Sequence, residues 1–181
     1  MLRGKNVILR PLLINDLPFV NKWRNDLELI MQTQGIRFPK TKEMDEAWFR
    51  NVLNDTSNRN IYFGVDELES QKLIGVASLI SIDYISGTGV WGLVIGEQSG
   101  RGKGYSVEIL HLMLNYAFKW LNLRKVFGYP AAYNKATLAM HKHIKGIVQE
   151  GCLRKHVFFD GAYHDVLILS LFRDDYYKSL G

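Results

Sequence analysis

The apolar and polar positions of the chain change period several times, and each change predicts an element. "VILRPLL" near the start reads as a strand, and Asn15-Asp16 offers an N-cap with Pro18 in the first turn of the helix that follows. That helix, "DLPFVNKWRND", places Leu17, Val20 and Trp23 on one face. Thr41 is a second N-cap, followed by Glu43 and Asp45 where the helix dipole favours carboxylates, and by Met44, Ala47, Trp48 and Val52 at helical spacing. "NIYFGVDE" and "KLIGVASLISIDY" read as two strands joined by the polar "LESQ", and "VWGLVIG" as a further strand after the turn "ISGTG".

The second half is clearer. "YSVEILHLMLNYAFKWLN" is an apolar helix with one polar stripe, Glu108, His111, Asn115 and Lys119, so it must be covered on most sides and should pack across a sheet. "RKVFGYPAAY" reads as a strand, Asn134 as the cap of "KATLAMHKHI", and Gly146 as its stop. The tail alternates around Asp160-Gly161, a strong hairpin signal. This order predicts an α+β or mixed α/β fold with a largely antiparallel sheet flanked by helices.

At 181 residues, with no linker, repeat or low-complexity segment, the expectation is one domain spanning 1–181. The opening "MLRGKNVILRPLL" has no apolar run of the length that a signal peptide or membrane span requires, and there is one cysteine, Cys152. A cytoplasmic protein without a membrane partner is therefore expected, with Cys152 a small core residue in a strand. A net charge of +5 raises nucleic acid as a partner, but Lys and Arg are scattered among acidic residues and form no stripe that could track a duplex. An anionic small ligand explains the charge as well.

Between a strand and the apolar helix lies "VIGEQSGRGKGYSVEIL", with Gly96, Gly100, Gly102 and Gly104 beside Arg101 and Lys103. It is not a P-loop, because Gly104 rather than Ser or Thr follows Lys103, and it is not a dinucleotide fingerprint, because the third glycine is missing. The physics beneath both motifs survives: a strand, a turn exposing backbone N–H groups, then the positive end of a helix. That arrangement suits a pyrophosphate, with Arg101 and Lys103 adding charge from the rim.

"IGEQSGRGKGYSVEIL", "NYAFKWLNLRKVFGYPAAYNKATLAMHKHI" and "EGCLRKHVFFDGAYHDVLILSLFRDDYY" together resemble the GNAT superfamily of acetyl-CoA-dependent N-acetyltransferases, within the bacterial branch that includes ribosomal-protein N-terminal and polyamine acetyltransferases. The resemblance implies a GNAT-like sheet with splayed strands at the acetyl-CoA site. It also implies a cofactor loop over Arg101, Gly102, Lys103, Gly104, Tyr105 and Ser106, pantetheine pairing by the main chain of Val94 and Ile95, and a contact from Asn134. Ser99 stands where the family pattern most often has Gln or Arg, a small departure because the grip is mainly by backbone. Where the branch commonly has a tyrosine acid, seven residues after the Asn, this chain has His141. A histidine with a pKa near 6.5 would hold a proton to give. Tyr133 is a weaker substitute, and packing beside Leu138 and Ile144 is the other reading of His141. The glutamate that relatives carry near the position of Val90 is absent, so no general base is identified.

The implied reaction is acetyl transfer to a primary amine by direct attack in a ternary complex, with no metal. No His-Glu-x-x-His or cysteine pair supports one. A homodimer is common in the branch. A catalytically silent acyl-CoA-binding module is the alternative. The acceptor, a small-molecule or peptide amine, is not encoded by the cofactor loop. Arg24 and Asn25 are candidate acceptor contacts, in a group with Trp23 and Asp26, and Trp23 is expected in the core. The Asp26, Glu28 and Asp45, Glu46 pairs would suit a polyamine, whereas Arg24, Arg37 and Trp48 would suit an amino-sugar nucleotide.

Overall fold

A computed structural model of the chain describes residues 1–34 and 38–180; Arg37 and part of the "MQTQGIRF" segment lie outside the described residues. Its strands are β1 (Leu2–Arg3), β2 (Val7–Pro11), β3 (Ile61–Glu67), β4 (Lys72–Asp83), β5 (Thr88–Ile95), β6 (Lys125–Gly128), β7 (Val148–Phe159) and β8 (Ala162–Phe172). They form one sheet in the order β1-β2-β3-β4-β5-β6-β8-β7. Every pairing is antiparallel except β5 with β6. The helices are α1 (Leu17–Arg24), α2 (Leu27–Thr33), α3 (Lys42–Leu53), α4 (Tyr105–Asn115), α5 (Lys135–Lys142) and α6 (Arg173–Leu180). The expected mixed α+β class and largely antiparallel sheet are what the chain forms.

Helix α4 lies across the sheet and buries Ile109, Leu110, Met113 and Leu114 in one cluster with Val7, Leu9, Val65, Ala77 and Leu79. A π-turn over Tyr116–Trp120 continues it, so the long helical pattern is real but its last turn is underwound. Its polar stripe divides: Asn115 and Lys119 are exposed, while Glu108 accepts from the Asn6 backbone and amide and His111 meets Tyr176. A second cluster, with Leu17, Val20, Trp23, Leu29 and Phe49, sits under α1 to α3.

Several local signals are where the sequence places them. Thr41 caps α3 through the Met44 N–H, Asn134 caps α5 through the Thr137 N–H, and Asp160 and Gly161 both take positive φ at the β7–β8 turn. Others differ. In α3, Met44 and Ala47 are exposed and the buried face is Asp45 and Phe49, because Asp45 is neutralised from α1 and so tolerates burial. Helix α2, capped by Asp26, and helix α6 are additional to the expected elements. Cys152 is exposed on the edge strand rather than in the core. Beside Asp165 its thiol pKa is pushed up, foremost by local loss of hydration around the sulfur and then by the carboxylate, which is the reverse of an activated nucleophile.

Trp23 is buried as expected, and it explains one loop glycine. A Cβ at Gly96 would lie 2.0 Å from the Trp23 ring, so Gly96 is small because an indole packs on it. Gly96→Ala should cost about 1 to 3 kcal/mol through overpacking. It should lower the melting temperature by several degrees in calorimetry; an unchanged melt would show that the indole is not packed on this position.

Candidate active site

Strands β5 and β6 run side by side only from Thr88–Lys125 to Val90–Phe127 and then part. The cause lies on β8. After Gly128 the chain stays bound to that strand: Leu167 N–H donates to the Pro130 carbonyl, Ala132 N–H donates to the Asp165 carbonyl, and Ala131 bridges Val166. Trp91 fills the angle, packing where a Cβ of Gly128 would be, 2.4 Å from its Nε1. Beyond Val90, β5 therefore keeps β4 on one side and has an open edge on the other.

The ladder identifies which groups that edge exposes. Gly96 N–H donates to the Ile74 carbonyl, and bonded residues alternate along an antiparallel pair, so Val94 and Gly92 bond toward β4. Leu93 and Ile95 direct their main-chain groups to the open side, and Arg101 Nε accordingly reaches the Ile95 carbonyl at 3.2 Å. Of the two residues expected to offer main chain at this edge, Ile95 directs its groups to the open side, whereas the pleat turns the Val94 amide to β4; Leu93 is the other residue whose groups point outward.

The glycine loop follows. Gly102 and Gly104 have φ of +74° and +77°, and a Cβ at either would meet nothing within 4 Å. These two are the turn glycines, whereas Gly96 and Gly100 face Trp23 and Ile74. Among the described residues no oxygen accepts from the N–H groups of Gly102, Lys103, Gly104, Tyr105 or Ser106. Five successive free donors at the start of α4 are the kind of arrangement that can take an anion such as a diphosphate.

The basic side chains are arranged differently from expectation. Arg101 lines the cleft, but its guanidinium braces the Ile95 and Gly96 carbonyls and meets Glu28 at 3.3 Å. Lys103 and the Tyr105 hydroxyl both turn to Glu67 at the end of β3, at 2.8 and 2.9 Å. Lys103, then Ser70 and Tyr105, hold the Glu67 carboxyl down at about 2. Neither Lys103 nor Tyr105 lines the cleft, so the charge expected from the Lys103 side chain beside a pyrophosphate is corrected to a latch, shared with the Tyr105 hydroxyl, that fixes the loop; the backbone N–H groups of both stay among the free donors. Ser106 and Gly102 do line it.

The cleft encloses about 530 Å³ and continues along Ser78, Trp91 and Gly92 to Asn134, Thr137 and His141. Asn134 is buried, and its amide is spent twice: Oδ1 caps Thr137, and Nδ2 donates to the Gln32 carbonyl at 2.7 Å. The Tyr133 hydroxyl donates to the Met31 carbonyl at 2.7 Å and its ring packs against His164, outside the cleft lining. Tyr133 is thus corrected from an acid to a strut that ties α2 to α5. Asn25 is likewise a strut. Its side chain donates to the Asn21 and Lys40 carbonyls and accepts from Lys40 N–H, and it lines neither cavity.

His141 is 5 % exposed, with its ring 5.4 Å from that of Trp91. Neither ring nitrogen has a partner of good hydrogen-bond geometry, and the Thr137 backbone one turn back offsets the burial only in part. Burial lowers its pKa from 6.5 to about 4. The imidazole is therefore neutral at pH 7, and the expectation that it holds a cationic proton to give is corrected.

A smaller chamber of about 240 Å³ adjoins the cleft, sharing Leu29, Thr33, Val76 and Val94 with it. Trp23, Arg24 and Trp48, with Val20 and Ile30, line the part of it that the cleft does not share. The Arg24 guanidinium lies 4.3 Å from the Trp48 ring centre, and its Nη1 is 3.2 Å from the Asp45 carboxylate. Sequence reasoning singled out Arg24 and Trp48 but could not show Asp45 behind them. Among the described residues there is no group of three His, Cys, Asp or Glu that could hold a metal, and no helix long and apolar enough to cross a membrane.

Comparison with known proteins agrees with this geometry. The sequence model described as "Acetyltransferase (GNAT) domain" matches residues 6–146. Spermidine N(1)-acetyltransferase of Vibrio cholerae serotype O1 is 26% identical over 173 residues, 96% of each chain. A Bacillus subtilis (strain 168) protein, YdaF, provisionally named a ribosomal N-acetyltransferase, is 28% identical over 159 residues, 82% of this chain and 85% of its own. A crystal structure of spermidine N-acetyltransferase from Vibrio cholerae in complex with CoA and spermine aligns with a TM-score of 0.87 at 25% identity, covering 96% of this chain and 99% of that one. The chain belongs to the GNAT acetyltransferase family. It is an acetyl-CoA-dependent N-acetyltransferase.

The buried imidazole makes a prediction of its own. Exposed in the unfolded chain, His141 takes up a proton near pH 6.5, but in the fold only near 4, so stability is lost as pH falls through that window. The loss should total roughly 3 kcal/mol by pH 4. Glu67 acts separately, its contribution disappearing between about 4.5 and 2. Denaturation between pH 7 and 4 should show a steeper loss in the native protein than in His141→Gln; parallel curves would mean that the imidazole is not held neutral.

Proposed function

We propose that residues 1–181 act as one domain that transfers the acetyl group of acetyl-CoA to the primary amine of a small molecule, in the cytoplasm, by direct attack in a ternary complex. The observation that carries this reading is the continuity of the five free amides of Gly102 to Ser106 with the open edge of β5. The residues fit the cofactor: the amides hold a diphosphate, the guanidinium of Arg101 adds positive charge beside it, and the edge at Leu93 and Ile95 offers an extended arm a strand to pair with. Acetyl-CoA supplies an activated thioester. Asn134, its amide already engaged, shapes the wall through the α2 contact.

The Leu93 and Ile95 N–H groups are oriented donors for the charge that develops on the carbonyl oxygen, and fixing amine and thioester together supplies much of the rate. His141 serves as a neutral hydrogen-bond donor or acceptor in a water-poor wall. Glu28, the one carboxylate lining the cleft among the described residues, is paired with Arg101, so the amine sheds its proton to water. Assembly into homo-oligomers is in keeping with a Vibrio cholerae spermidine N-acetyltransferase structure that is dodecameric.

Calorimetric titration with acetyl-CoA tests the cradle. The native protein should bind with micromolar affinity, and Gly102→Glu, which sets a carboxylate among the free amides, should abolish binding while still folding. Gly102→Ala shares the positive-φ strain without the charge and should retain binding within about tenfold. Equal binding by all three would contradict the proposed cradle.

A further inference from the structure

We infer that the chamber at Trp23, Arg24 and Trp48 is the acceptor subsite, and that it takes an amine on a compact apolar body whose far end carries a carboxylate or carbonyl oxygen, rather than a polyamine. This deepens the proposed function and rests on it.

The chamber joins the cleft at Val76 and Val94, next to the open edge of β5, so an amine entering the reaction zone leaves its tail there. Among the described residues its lining is almost wholly apolar, with one charged group, Arg24, in the part that the cleft does not share. No carboxylate lines it among the described residues. Asp45 lies behind the guanidinium, fully buried, with its Oδ2 held by Asn21 at 2.6 Å. Asp26 caps α2, Glu28 meets Arg101, and Glu46 meets Arg50, so each acid that would suit a polyamine is already committed. A second ammonium in this chamber would face a guanidinium in an apolar box, with nothing to neutralise it.

Arg24 is, by contrast, short of acceptors. Its Nη1 stands 3.2 Å from Asp45 Oδ1 but outside hydrogen-bond geometry, and both atoms are buried without a hydrogen bond. No acceptor for its Nε or Nη2 exists among the described residues. Stacked 4.3 Å from the Trp48 ring centre and largely shielded from water, with its side chain 23 % exposed, the guanidinium is pre-oriented, the condition in which an added oxygen acceptor forms a strong charge-assisted bond. The apolar walls accept an aliphatic or aromatic body between that oxygen and the amine.

Four acceptors test this with the full chain: 4-(aminomethyl)benzoate, 4-(aminomethyl)benzamide, benzylamine and spermidine. CoA release measures turnover, and tryptophan fluorescence measures binding without acetyl-CoA. The benzoate should exceed benzylamine in kcat/KM by about tenfold or more, the gain expected of one charge-assisted bond, and benzylamine should exceed spermidine. The benzamide distinguishes a need for charge, if it resembles benzylamine, from a need for oxygen alone, if it resembles the benzoate; either supports the subsite. Arg24→Gln with Asp45→Asn, which leaves no buried charge, should bring benzoate and benzylamine within about twofold, by loss of that bond. Preference for spermidine, or a benzoate no better than benzylamine in either readout, would overturn the inference while leaving acetyl transfer intact. The same ranking in fluorescence without turnover of any amine would uphold the subsite and contradict the transfer reaction.

Discussion

Everything at this site depends on β6 following β8 rather than β5. A sheet that stayed paired would have no place for an extended arm, because both edges of β5 would be spent on neighbours. Here the bonds from Ala132 and Leu167 carry the β6 chain away, and Trp91 wedges the gap against a bare Gly128. The main chain of Leu93 and Ile95 is left as an exposed row of donors and acceptors inside the fold. Unpaired backbone groups are costly when buried dry, so such an edge persists where water or a ligand can reach it.

The glycine loop extends the same principle around the corner into α4. Its four glycines divide by what surrounds them: two make room for Trp23 and Ile74, and two turn the chain with positive φ. The charged residues are braces. Arg101 clamps the carbonyls at the end of β5, and Lys103 with Tyr105 fastens the loop to Glu67. Binding strength at the anion concavity thus resides in backbone amides held rigid by side chains, an arrangement preorganised before a ligand arrives. On the opposite wall, Tyr133 and Asn134 hold the carbonyls of Met31 and Gln32, so the helix that borders the smaller chamber is tied to the wall of the larger cleft.

Much of this was legible in the sequence where the signal is local. Thr41, Asn134, Asp160-Gly161 and the Gly102–Gly104 turn each announce themselves by a residue type that a particular backbone geometry requires. The class of sheet followed from the order of periodic segments. What escaped depends on tertiary partners. Helix α2 has seven residues, too few for an amphipathic pattern to be recognised. In α3, Trp48 and Val52 pack on the second cluster as their spacing suggests, but Asp45 is inside where Met44 and Ala47 are not, and the Arg24 and Asn21 opposite it on α1 explain that. The roles of Lys103, Tyr133 and Asn25 reversed because each finds a partner distant in sequence. His141 was placed at the cleft by its spacing from Asn134, but its neutral state is a product of burial that no spacing encodes.

The most direct test of the central claim is hydrogen–deuterium exchange of the native protein with and without acetyl-CoA, resolved to single amides. The amides of Gly102 to Ser106, Leu93 and Ile95 should exchange freely in the absence of the cofactor and become protected together on its addition, while Val94, already bonded to β4, changes little. Binding that leaves the loop and the β5 edge unprotected would mean that acetyl-CoA lies elsewhere, and that the parted strands are not its cradle.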